Sequence, residues 1–75
     1  MTFGDRLREA RRSRGMTIQE LAGKSGISYP TISLYENDRR DPSFLNVFCI
    51  SEVLGVSLDW LAGRETEMEV KHERV

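Results

Sequence analysis

The chain has 75 residues and a formal net charge of −1, with 39% hydrophobic and 31% charged residues. That length allows one small domain with a modest core, in the composition range of ordinary globular proteins. No apolar run is long enough for a membrane helix, and the first residues lack the apolar stretch of a signal peptide. A single cysteine, Cys49, rules out an internal disulfide framework, and with the single His72 it falls short of a structural zinc site. These features read as a cytoplasmic protein. No Gly-rich phosphate loop, metal-ligand cluster or nucleophile with a histidine partner is present, so neither an enzyme nor a cofactor or metal site is expected.

The charge is unevenly placed. Residues 1–14 hold Arg6, Arg8, Arg11, Arg12 and Arg14 against Asp5 and Glu9, whereas residues 65–75 are acidic on balance. Taken alone, the arginine run reads as a solvated helix face, with a local phosphate-binding face as the sharper alternative.

Helical spacing and Gly/Pro punctuation predict five helices and no strand. The first runs from about Phe3 to Arg14, with Phe3, Leu7 and Ala10 inward, and stops at Gly15. Thr17-Ile18-Gln19-Glu20 is a capping box that opens a second, short helix with Leu21 and Ala22 inward, ending near Gly26. Ser28 caps a third helix from Tyr29 to Glu36, where Pro30 falls in the first turn. Ile32 and Tyr35 point inward, and Asn37-Asp38 ends the helix in residues that tolerate a left-handed conformation. After the loop Arg39-Arg40-Asp41-Pro42, Ser43 caps a fourth helix from Phe44 to Leu54, and Ser57 a last one from Leu58 to Ala62. The domain is expected to span residues 1–63, with residues 64–75 as an acidic, frayed or disordered tail.

The fourth helix is rich in apolar residues. Phe44, Val47, Ile50 and Leu54 suffice for one core stripe. Leu45, Phe48 and Cys49 form a second stripe, which is a candidate dimer or partner face unless the core stripe is simply wide. Trp60 is assigned to the core or to the same interface. Cys49 reads as a small apolar residue and not as a nucleophile.

The second and third helices, joined through Lys24-Ser25-Gly26-Ile27, have the form of a helix-turn-helix. The outward residues of the third helix are Tyr29, Pro30, Thr31, Ser33 and Leu34, none of them charged. Such a face suits base edges and thymine methyls better than bulk water.

Thr17-x-x-Glu20-Leu21-Ala22-x-x-Ser25-Gly26-Ile27-Ser28, followed by Thr31-Ile32-Ser33-x-Tyr35-Glu36-Asn37, resembles the phage repressor and Cro-type helix-turn-helix (Xre) family. The likeness continues through Pro42-Ser43 and through Leu54-Gly55-Val56-Ser57-Leu58-Asp59-Trp60-Leu61. It implies an all-α, lambda-repressor-like domain that binds double-stranded operator DNA in the major groove, commonly as a homodimeric bacterial or phage repressor. On that resemblance Tyr29, Pro30 and Leu34 lie over base edges, flanked by Thr31 and Ser33. Gln19, Ser28, Asn37, Arg39 and Arg40 are the phosphate candidates, and Arg11 and Glu36 match an internal salt bridge.

Two positions depart from the family's usual pattern. Ile18 stands where Gln is common, with Gln19 one step on, and Asp38 stands where Gly is common. Both changes imply weaker or more salt-tolerant nonspecific DNA binding. The alternative job for the same fold is a protein-interaction module, such as an antitoxin or a docking subunit.

Overall fold

A computed structural model describes residues 1–64; the expectation of a frayed acidic tail falls, beyond Arg64, outside the described residues. The described chain folds as five helices: α1 (Phe3–Ser13), α2 (Ile18–Ser25), α3 (Tyr29–Glu36), α4 (Phe44–Leu54) and α5 (Leu58–Leu61). None of them is long and apolar enough to cross a membrane. Each begins at a hydroxyl residue in extended conformation (Thr2, Thr17, Ser28, Ser43, Ser57) whose side chain accepts an N–H from the first turn. Four of these caps are evident in the sequence. Thr2 is the fifth: its hydroxyl accepts the Asp5 N–H and its own N–H is bound by the Asp5 carboxylate, so Thr2-x-x-Asp5 is a capping box with Asp in place of the usual Glu.

One core gathers these elements. Leu7 and Ala10 from α1, Leu21 from α2, Ile32 and Tyr35 from α3, and Ile50 and Leu54 from α4 meet Ile27, Val56, Trp60 and Leu61. One alternative is resolved here and one expectation changes. Trp60 is only 2% exposed, so it belongs to the core and not to an interface. Phe44 is 74% exposed and leaves the core stripe, while Cys49 is half-buried and packs on the core. The reason is the rotation of α4. Its inner side, set by packing on α2 and α5, is centred on Val47, Ile50 and Leu54. At 100° per residue, Phe44, Phe48 and Leu45 then share an outer arc of about 100°.

Four of the five arginines in the run are engaged within the fold. The Arg6 guanidinium lies over the Trp60 ring, 5.4 Å from its centroid, a cation–π arrangement. Arg8 donates to the Glu36 carbonyl at 2.8 Å and lies 3.5 Å from Asp5. Arg11 grips the Glu36 carboxylate with Nε at 2.6 Å and Nη2 at 3.1 Å, and its Nη1 donates to the Met16 carbonyl at 2.8 Å. Arg14 Nε donates to the Leu54 carbonyl at 2.6 Å, which satisfies an open carbonyl at the end of α4. Only Arg12 of the five is fully exposed.

Burial of the Arg11–Glu36 pair raises the cost of breaking it. Glu36 is 3% exposed, and hydrogen bonding to it holds the Arg11 guanidinium above its ordinary pKa. Close helix approach is required as well. A Cβ at Gly4 would stand 2.7 Å from the Tyr35 carbonyl oxygen and clash with that of Glu36, so α1 can meet the end of α3 only through glycine.

Two stability outcomes follow. Arg11→Met strands a buried carboxylate and is expected to cost about 3–5 kcal/mol in urea unfolding, whereas Arg11→Met/Glu36→Leu recovers much of that loss. The Asp5 carboxyl is held below its ordinary 3.8, first by the hydrogen bond from the Thr2 backbone N–H. A depressed carboxylate stabilises the fold above its unfolded pKa, and that stability is lost as pH falls through the folded value. Asp5→Asn is therefore expected to be less stable than the parent at neutral pH, and their unfolding midpoints to converge once the pH has fallen through the lowered Asp5 pKa, below 3.8.

Candidate nucleic-acid interface

The turn between α2 and α3 fixes how α3 is presented. Gly26 takes φ +77°, which a side chain would resist, and its N–H closes on the Ala22 carbonyl at 3.0 Å. Ile27 then plugs into the core, and Ser28 opens α3. Ser28 Oγ accepts the Thr31 N–H at 3.3 Å and donates to Thr31 Oγ1 at 2.8 Å.

Three side chains seat α3 from below. Ile32 is fully buried, and Tyr35 is buried edge-on to Phe3, with its hydroxyl taking a hydrogen bond from Asn46 Nδ2 at 2.8 Å. Glu36 is the third, held by Arg11 and flanked by Arg8. Tyr29, half exposed, and the exposed Pro30 stand outward with the partly exposed Thr31, Ser33 and Leu34. The one charged residue of α3 is thus turned inward, and all five expected base-reading positions share the uncharged outer side.

Flanking positions behave less uniformly. Gln19 is exposed on the first turn of α2. That helix start is already occupied: Thr17 Oγ1 accepts the Glu20 N–H at 3.0 Å, and the Glu20 carboxylate accepts the Thr17 N–H at 2.9 Å. A phosphate there would compete with a carboxylate for the Thr17 N–H. Ile18 packs against the core, which accounts for an apolar residue at that position. Asn37 is exposed, and its amide donates to the Ser33 carbonyl at 2.9 Å. Arg39 and Arg40 are both exposed.

Asp38 differs most from expectation. It holds φ +56°, the left-handed conformation anticipated for the end of α3. Its carboxylate does not stand free beside the chain: Oδ2 accepts from Thr2 Oγ1 at 2.6 Å and Oδ1 from the Gly4 N–H at 3.0 Å. Its charge is directed at the N-terminus of α1, where the helix dipole favours an anion. The sequence expectations do not include the cap at Thr2 or the partners of Arg8 and Arg14. Thr2-x-x-Asp5 was a usable signal for the first, and the three-residue spacing of Arg8 from Arg11 for the second. Nothing local announces that Arg14 reaches the end of α4.

A five-helix domain whose second and third helices are joined by a glycine turn, with the uncharged side of the third helix facing out, is a helix-turn-helix protein. The chain belongs to the helix-turn-helix family, whose model matches residues 7–61. It is 40% identical over 73 residues to the HTH-type transcriptional regulator ImmR of Bacillus subtilis (strain 168), covering 97% of this chain and 57% of that one. It is 32% identical over 66 residues to the immunity repressor protein of Bacillus phage phi105, covering 88% of this chain and 46% of the repressor. The chain thus spans about half the length of these two relatives. Among solved structures, the P22 c2 repressor in complex with a synthetic operator superposes with a TM-score of 0.81 at 26% identity, covering 87% of this chain and 98% of the repressor chain.

Proposed function

We propose that this chain is the DNA-binding unit of a transcriptional regulator, a repressor that reads duplex operator DNA with α3 in the major groove. The observation that carries this reading is the outer side of α3: Tyr29, Pro30, Thr31, Ser33 and Leu34 stand outward while Glu36 is buried. An uncharged helix side with hydroxyls and apolar groups matches base edges and thymine methyls, and the exposed Arg39 and Arg40 just beyond it supply charge for phosphate. Ser28, Asn37 and Gln19 are secondary phosphate partners in this arrangement. The names of the relatives and the operator complex of the P22 c2 repressor support the same reading. The DNA-binding unit is residues 1–63, its setting is the cytoplasm of a bacterium, and its job is recognition without catalysis.

The active species in this proposal is a homodimer on a palindromic operator with half-sites about one helical turn apart. The outer arc of α4 supports pairing. Phe44, Leu45 and Phe48 are 74%, 66% and 41% exposed, a contiguous apolar patch on a small domain. The same patch favours the second reading, a module that docks on another protein.

Selection of duplexes from a random library, followed by binding isotherms over a range of salt, tests the main reading. Tyr29→Ala and Leu34→Ala are each expected to cost about 1–3 kcal/mol on the selected operator and little on unrelated duplex. Arg39→Ala and Arg40→Ala should weaken both alike and each make the salt dependence shallower by about one unit of slope. No salt-dependent binding at low ionic strength would decide for the docking module. Phe48→Glu is expected to leave the fold intact and shift sedimentation equilibrium from dimer to monomer; an unchanged mass would remove α4 from the interface.

A further inference from the structure

We propose that Asp38 is a positioning residue for DNA binding: it ties the start of the Arg39–Arg40 loop to the N-terminus of α1 and thereby sets where those two cations stand. This deepens the DNA-binding reading and rests on it.

The Asp38 N–H donates to the Tyr35 carbonyl at 3.1 Å, and the Arg39 N–H to the Leu34 carbonyl at 2.9 Å. With Asp38 at φ +56°, these two bonds form a Schellman closure of α3. Glycine fills the left-handed position of that motif most cheaply, because it has no Cβ. Here the residue carries a carboxylate, and both of its oxygens are engaged by α1, through Thr2 Oγ1 and the Gly4 N–H. The Thr2 hydroxyl is itself fixed, since it also accepts the Asp5 N–H at 3.1 Å. The backbone of Asp38 is therefore held by α3 and its side chain by α1. The chain leaves this doubly held point directly into Arg39 and Arg40. A glycine would keep the turn and lose the tie, leaving the first loop residues more freedom to lose on meeting phosphate.

This arrangement makes an unusual prediction about charge. If Asp38 acted only as an anion near the phosphate track, removing its charge in any form would strengthen binding. If it acts by position, two substitutions that remove the same charge must differ. Asp38→Asn tolerates the left-handed conformation, can accept the Gly4 N–H through Oδ1 and can bond Thr2 Oγ1 through Nδ2. Asp38→Gly keeps the conformation and makes neither contact.

The test is binding of a random-sequence duplex of roughly 30 base pairs, measured across salt for the full chain and each variant well below its unfolding midpoint. Asp38→Asn should bind at least as tightly as the parent. Asp38→Gly should bind about three- to tenfold more weakly than Asp38→Asn at moderate salt, with a salt slope shallower by about one to two. The Gly4 amide resonance should stay near its parental position in Asp38→Asn and move in Asp38→Gly. Thr2→Val removes the donor to Asp38 together with the cap on the Asp5 N–H and leaves residue 38 intact; measured below its own unfolding midpoint, it should bind more weakly than the parent with a shallower salt slope, and it covers the case in which Asp38→Gly does not fold. Equal affinity and equal slope for Asp38→Gly and Asp38→Asn would overturn the proposal, as would a Gly4 resonance indifferent to Asp38→Gly. A parent chain that fails to bind duplex at low salt overturns the DNA-binding reading, and this inference with it.

Discussion

The buried fork between Arg11 and Glu36 is the contact on which the orientation of α3 depends. Glu36 is the last residue of α3, and Arg11 sits near the end of α1. A planar guanidinium that meets both carboxylate oxygens fixes direction as well as distance. The remaining Arg11 nitrogen holds the Met16 carbonyl, just before α2 begins. One side chain therefore locates α1, the entry to α2 and the end of α3 together. Taking two charges out of water is costly, so the pair adds little net stability over apolar residues. What it supplies is rotation: with Glu36 pinned inward beside Ile32 and Tyr35, the outward set of α3 is determined.

That constraint reorganises the meaning of the charge distribution. The arginine-rich beginning of the chain invites an electrostatic reading, yet Arg6, Arg8, Arg11 and Arg14 all reach inward to Trp60, Glu36, Met16 and Leu54. They close helix ends and pack on aromatic surface, uses in which a guanidinium does what an ammonium cannot. The exposed positive charge beside α3 comes instead from Arg39 and Arg40, in a segment where two acidic neighbours, Asp38 and Asp41, would seem to cancel it. The Asp38 carboxylate keeps its charge but turns it toward the N-terminus of α1. A net charge of −1 is thus compatible with a nucleic-acid surface, because local placement outweighs the sum.

Helix α4 shows the same difference between pattern and position. Its sequence carries more apolar residues than one core stripe needs, and a surplus was evident from that alone. Which residues made up the surplus was not. Helical spacing places Phe44 inward, yet it stands outward, whereas Cys49, a candidate for the outer face unless the core stripe is wide, packs on the core. Periodicity fixes relative angles along a helix and leaves its absolute rotation open. That rotation is set by α2 and α5, which press on α4 from one side.

Much of this protein follows from local chemistry. Hydroxyl caps, the Thr17–Glu20 box, Pro30 in a first turn and the glycines after α2 and α4 are instructions read within a few residues, so helix boundaries were available to within about two residues. The run of uncharged residues in α3 is equally plain in the sequence; that they face outward together depends on Glu36 being turned inward to Arg11. The long-range partners were decided by the tertiary structure. Arg14 meets Leu54, Asp38 meets Thr2 and Gly4, and Gly4 admits the end of α3, across separations that no local pattern encodes. The sequence determines the helices and the uncharged residues of α3; the packed fold alone decides which side of α3 faces outward and which charges are satisfied internally.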